Sequence, residues 1–165
     1  MSSFNVAGKP LSSRLFLGTS HYPSPQVLSD AVAASGTQVL TVGLRRLQPE
    51  SGGGNSFWQR VQAMKTHILP NTAGCHTAEE AITLAQMARE IFGTTWIKLV
   101  VIGDDYTLQP DTHATVQAAT VLTKEGFAVF GKMWQFMACT RCQKLLPPPL
   151  SGCRRRKPKI GRAHV

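Results

Sequence analysis

Acidic residues are scarce in this chain: nine Asp and Glu stand against 18 Lys and Arg in 165 residues. The shortage is not uniform. Residues 1–130 hold nine basic and nine acidic residues, whereas residues 131–165 hold nine basic and no acidic ones. The whole formal charge of +9 therefore lies in the last 35 residues. No apolar run reaches 18 residues, which excludes an ordinary membrane-crossing helix. The start of the chain carries no signal-peptide pattern. The expectation is a cytoplasmic protein with no membrane partner. Cysteine is too sparse and too uneven for a disulfide framework. Of the four, Cys139, Cys142 and Cys153 lie in the basic tail, which leaves Cys75. No G-x-G-x-x-G follows the first strand, which weighs against dinucleotide binding.

What is present suits one modest domain, with 42% hydrophobic residues. Phe4 to Leu11 reads as a small strand and turn, with Gly8-Lys9 supplying the turn. Arg14-Leu15-Phe16-Leu17-Gly18-Thr19-Ser20 is a short strand, and a helix is expected from Ser24 to Ser35 with Pro25 in its first turn. Val39 to Leu44 is the next apolar run. Gly52-Gly53-Gly54 marks a loop, and Phe57 to Met64 a short helix. A strand over Thr66 to Thr72 ends at Pro70. Thr77-Ala78-Glu79-Glu80 is a capping box opening the clearest helix, in which Ala78, Ala81, Ile82, Ala85, Ala88, Ile91 and Phe92 form an apolar stripe that stops at Gly93. A helix over Thr115 to Lys124 and a strand from Phe127 to Phe130 complete the alternation.

Strand and helix alternate every 25–30 residues or so, the rhythm of βαβ crossovers and a parallel sheet. A doubly wound sheet and a (β/α)₈ barrel both suit it. Parallel strands are expected near residues 14–19, 38–43, 67–71, 96–102 and 127–130, in that order.

One residue breaks the pattern. Thr95-Trp96-Ile97-Lys98-Leu99-Val100-Val101-Ile102 is a buried-strand run rich in β-branched residues, and Lys98 sits inside it. Burial disfavours the ammonium, lowers its pKa and leaves a neutral amine able to attack a ketone. A lysine at a strand end that snorkels to water is the plainer alternative. Period-two geometry sets Trp96, Lys98 and Val100 on one face, and aliphatic Ile97, Leu99 and Val101 on the other, toward helices. Cys75-His76 could be a nucleophilic pair, but a small loop residue beside a first-turn neighbour explains it as well.

Seven segments in order resemble the bacterial thiazole synthases of thiamin biosynthesis. They are Leu17-Gly18-Thr19; Val39-Leu40-Thr41-Val42 with Leu44-Arg45-Arg46; Leu69-Pro70-Asn71-Thr72-Ala73-Gly74-Cys75; Thr77-Ala78-Glu79-Glu80-Ala81; Trp96-Ile97-Lys98-Leu99; Thr107-Leu108-Gln109-Pro110-Asp111; and Glu125-Gly126-Phe127. The resemblance implies an α/β fold, a (β/α)₈ barrel of which residues 4–130 supply about the first five βα units. It implies an enzyme joining 1-deoxy-D-xylulose 5-phosphate, a glycine-derived imine (dehydroglycine, from a supplying enzyme) and sulfur from a sulfur-carrier protein's thiocarboxylate. It implies Lys98 as the catalytic residue, bound to the sugar ketone as an imine, a homo-oligomer, and neither cofactor nor metal. The chain departs from the family at Val100, where many members carry a glutamate that can move protons beside the lysine.

The family continues with three more strands and glycine-rich phosphate loops. Residues 131–165 instead carry Pro147-Pro148-Pro149 and Arg154-Arg155-Arg156-Lys157-Pro158-Lys159 with no strand or helix period. The basic run could serve a nucleic acid or an anionic surface, the alternative function for the chain. Cys139, Cys142, Cys153 and His164 do not make a recognised zinc spacing. The abrupt charge break favours a slipped coding frame. Ile160-Gly161-Arg162-Ala163-His164-Val165 back-translates to ATCGGAAGAGCACACGTC, which resembles a sequencing-library adapter. The expectation is a partial barrel over 1–130, an irregular tail over 131–165 that binds no nucleic acid and has no packed core, and a fragment inactive as it stands.

Overall fold

The structure, a computed structural model, describes residues 4–44 and 54–131. The expectations for the tail lie beyond these residues. The chain opens with an antiparallel hairpin of β1 (Phe4–Val6) and β2 (Lys9–Leu11). Its turn is Ala7-Gly8, with φ of 44° and 83°, rather than the expected Gly8-Lys9. Two successive left-handed residues give a two-residue loop the twist of its strands. Asn5 supports it, its Oδ1 accepting from the Gly8 N–H at 2.9 Å.

The repeating units follow: β3 (Phe16–Gly18), α1 (Pro25–Ser35), β4 (Val39–Gly43), α2 (Gly54–Ala63), β5 (His67–Asn71), α3 (Ala78–Phe92) and β6 (Trp96–Leu99). A small hairpin of β7 (Ile102–Asp104) and β8 (Gln109–Pro110) precedes α4 (Thr112–Lys124) and β9 (Ala128–Gly131). Local chemistry sets the helix starts. Ser24 accepts from the Val27 N–H at 3.3 Å, and Thr77 from the Glu80 N–H at 3.1 Å. The Glu80 carboxylate reaches back to the His76 N–H at 2.9 Å. Helix α4 begins earlier than expected because Asp111, next to Pro110, caps it by accepting from Ala114 N–H at 2.9 Å. Helix α2 also begins earlier, with Gly54 in its first turn rather than in the loop. Helix α3 stops at Gly93, whose φ of 60° is the left-handed conformation that glycine adopts at little cost. Its buried face is Ala78, Ala81, Ala85 and Ala88, while Ile91, expected in the stripe, is 52% exposed.

Strands β3, β4, β5, β6 and β9 form one sheet in that order, every pair parallel. Its two faces differ. On one, Ile97, Leu99 and Val129 pack with Ala81, Ala85, Ala88, Ala118 and Leu122 of α3 and α4, while Leu40 packs with Leu28, Val32 and Val61 of α1 and α2. On the other, Val39, Leu69 and Trp96, with Phe16, Ala128 and Phe130, pack against Phe4, Val6 and Leu11 of the opening hairpin. A doubly wound sheet carries helices on both faces. Sequential parallel strands with the four described helices on one face are a barrel segment. The expected strand over 96–102 stops at Leu99, for a reason that lies in the next loop.

Candidate active site

The inner face of the sheet is layered by strand register. Toward the start of the strands, Phe16, Val39 and His67 lie side by side, and Thr41 pairs with Leu69 in the layer above. The top layer is Gly43, Asn71, Lys98 and Phe130, each in register with the next. Lys98 is thus the penultimate residue of β6, at the carboxyl-terminal rim where barrels place their chemistry. Below it Trp96 is the aromatic floor, its ring centroid 5.5 Å from that of His67 and 5.4 Å from that of Phe130 in the top layer. Gly18 and Gly43 bring no side chain to their strand ends.

Alternation places Lys98 on the same face as Trp96, as expected, with Ile97 and Leu99 turned to the helices. The burial expectation needs correcting. Ile97 and Leu99 are fully buried, but Lys98 is half-buried, because it stands one residue from the strand end. Val100 also departs from the expectation. It lies beyond the strand, so it does not continue the Lys98 face by ladder geometry.

Thr72 causes the break. The Thr72-Cys75 segment is a tight turn, closed by Cys75 N–H to Thr72 C=O at 3.1 Å, with Gly74 at φ 94° as the left-handed third residue. The turn uses the carbonyl that would otherwise receive the next ladder bond. The Thr72 hydroxyl takes its place, accepting from Val100 N–H at 2.8 Å and donating to Val100 C=O at 2.7 Å. Further bonds, Ile102 N–H to Cys75 C=O at 2.8 Å and Asp111 N–H to Val101 C=O at 2.9 Å, turn the chain outward into the β7–β8 hairpin.

The neighbouring residues sort themselves by burial. The Cys75 side chain is buried in the apolar cluster of α3 and α4, while His76 faces the rim with its Nε2 3.7 Å from Asp105 Oδ1. This is the structural reading of Cys75-His76, not a nucleophilic pair. Asn71, half-buried beside Lys98, has its Oδ1 accepting from the Ala73 N–H at 3.1 Å, which turns the amide NH₂ end away from that bond. Among the described residues, no cluster of His, Cys, Asp and Glu is placed to hold a metal, and no helix is long and apolar enough to cross a membrane.

One family model, described as thiazole biosynthesis protein ThiG, matches this chain over residues 5–146. The chain belongs to the ThiG family. The match runs past residue 130, where the change of composition placed the domain boundary. The thiazole synthase of Brucella abortus (strain S19) is 57% identical over 126 residues, covering 76% of this chain and 49% of that protein. The thiazole synthase of Coxiella burnetii (strain Dugway 5J108-111) is 49% identical over 150 residues, covering 90% and 55%. The chain spans about half the length of the curated relatives it matches. The crystal structure of the Amycolatopsis orientalis BexX/CysO complex superposes with a TM-score of 0.63 at 25% identity, over 78% of this chain and 52% of that one.

Within this ThiG-family chain, sequence reasoning singled out Lys98 but did not foresee Asn71 and Thr72 as its neighbours. A signal was present: two polar residues directly after the Pro70 that ends the apolar part of β5 sit where barrel rims carry function. Only the register shows that they face Lys98 and Val100 and not a different strand.

Proposed function

We propose that this chain carries the imine-forming centre of a thiazole synthase and that Lys98 is its nucleophile. The observation that carries the reading is the place of Lys98: half-buried, on the inner face, at the rim, directly above the Trp96 floor. Its amine nitrogen attacks the ketone carbon of 1-deoxy-D-xylulose 5-phosphate, and the proton the nitrogen loses passes to the ketone oxygen. Loss of water from that carbinolamine leaves the Lys98 imine. A sugar face stacks on apolar aromatic surface, and an amide such as that of Asn71, in register with Lys98, is a group that hydrogen-bonds hydroxyls. The glycine-derived imine and the carrier thiocarboxylate then supply nitrogen, carbon and sulfur. The BexX/CysO complex supports the last part, since it is a two-protein assembly on this fold. Cytoplasmic placement and a homo-oligomer belong to the same reading. Completed thiazole is not expected from this chain, which spans about half the length of its relatives.

The test separates imine formation from turnover. The 165-residue chain is incubated with 1-deoxy-D-xylulose 5-phosphate, reduced with borohydride and mapped by mass spectrometry. The Brucella abortus thiazole synthase serves as the assay control. A reduced adduct on Lys98, lost to background in Lys98→Arg, is expected, because arginine stays charged and is no amine nucleophile. Equal labelling of Lys98→Arg, or no adduct when the Brucella protein gives one, overturns the reading.

A further inference from the structure

We infer that Thr72 is a positioning residue for Lys98, its hydroxyl clamping the backbone of Val100 so that β6 ends just past the lysine. The inference rests on the imine-forming reading of Lys98. Thr72 is 0% exposed, and its hydroxyl makes one acceptor bond and one donor bond, both to Val100. Its own N–H donates to the Lys98 C=O at 3.1 Å. One buried residue thus holds the main chain at Lys98 and two residues beyond it. In a regular parallel ladder a carbonyl accepts the Val100 N–H. Here the Thr72 carbonyl accepts from the Cys75 N–H instead, and the Thr72 hydroxyl, both donor and acceptor, serves Val100. Valine has the shape of threonine but neither function. Without the hydroxyl, the part-buried N–H and C=O of Val100 must find other partners, and the main chain over residues 99–101 moves to do so. A displacement of about 1 Å at a reacting group costs about 100-fold in rate.

The hydroxyl is bound on both sides by main chain, so Thr72 does not touch substrate. Its loss is therefore read in the rate of imine formation and not in substrate affinity. The experiment measures the rate of borohydride-trapped Lys98 adduct in the full chain as a function of 1-deoxy-D-xylulose 5-phosphate concentration. Thr72→Val is expected to lower the maximal rate about 100-fold, with the half-saturating concentration unchanged. Thr72→Ser, which keeps the hydroxyl, is expected to restore the rate to within about 3-fold of the unaltered chain. Circular dichroism shows whether each variant is folded. Should Thr72→Val not fold, Thr72→Cys takes its place, and its weaker donor and acceptor predict a loss of about 10-fold. A folded Thr72→Val or Thr72→Cys at the unaltered rate overturns the inference and leaves the role of Lys98 intact. So does a Thr72→Ser as slow as Thr72→Val, which would make shape and not hydrogen bonding the cause. So does a rise in the half-saturating concentration at unchanged maximal rate. An unaltered chain that forms no Lys98 adduct overturns the function reading itself, and the inference with it.

Discussion

At Lys98 a single amine is set apart by two elementary facts: strand alternation turns it inward, and register puts it at the rim. Its partner two residues on is the unusual feature. Where a glutamate is common in the resembling family, this chain has Val100, half-buried and with both main-chain groups bonded to Thr72. Those bonds are to backbone, so the side chain at 100 can change without removing them. Val100→Glu tests whether a carboxylate there serves the imine. General acid–base groups contribute roughly 10²–10⁴-fold, and the expected gain in Lys98 adduct formation is about 100-fold, followed by the borohydride assay. An unchanged rate would show that the side chain at 100 does not reach the reacting atoms, as its place beyond the strand end allows.

Among the elements, the β7–β8 hairpin is the one the alternation did not foretell. It is held at its tip by one carboxylate. Asp104 Oδ1 accepts from Thr107 N–H at 2.8 Å, Thr107 Oγ1 at 3.0 Å and Tyr106 N–H at 2.8 Å. These bonds, the Thr107 N–H foremost, hold the carboxyl below its ordinary value of 3.8. A carboxyl with a lowered folded value stabilises the fold above its unfolded value and loses that contribution as pH falls through the folded one. The turn should therefore persist at pH 3.8 and loosen only below it. In an NMR titration, the Tyr106 and Thr107 amide signals are expected to move with a midpoint under 3.8. A midpoint at or above that value would mean that the carboxylate is not what holds the turn.

For the molecule as a whole, the inner face needs something to cover its lower half, and the opening hairpin does this. Leu11 is 0% exposed within the cluster of Val39, Leu69 and Trp96. Gln38 fastens the connection, its Oε1 accepting from Ser12 N–H at 2.6 Å, Ser12 Oγ at 3.0 Å and Ser13 N–H at 3.0 Å. Leu11→Ala should cost about 2–5 kcal/mol in urea unfolding, the range for a buried leucine that leaves a cavity. Because Leu11 packs in the lower layers, the folded variant should still form the Lys98 adduct at the unaltered rate. A loss of less than about 0.5 kcal/mol, as at a surface site, would show that the hairpin is not part of the core.

The order of elements, the helix caps, the two faces of β6 and the place of Lys98 among apolar residues could be read along the chain. Each of these rests on interactions within a few residues: Thr77 with Glu80, Ser24 with Val27, and the alternation of Trp96, Ile97, Lys98 and Leu99. The family resemblance was legible for the same reason, since its motifs are short. The rest came from the assembled fold. It chose barrel over doubly wound sheet by putting the four described helices on one face, a matter of which elements share a core. It ended β6 at Leu99 through a hydroxyl 28 residues away in sequence. It set Asn71 against Lys98 through a register between strands that no local pattern encodes. Local chemistry repeats every few residues and can be read along the chain. Contacts between residues far apart form only when the sheet assembles, because the packing of every strand and helix together selects the register.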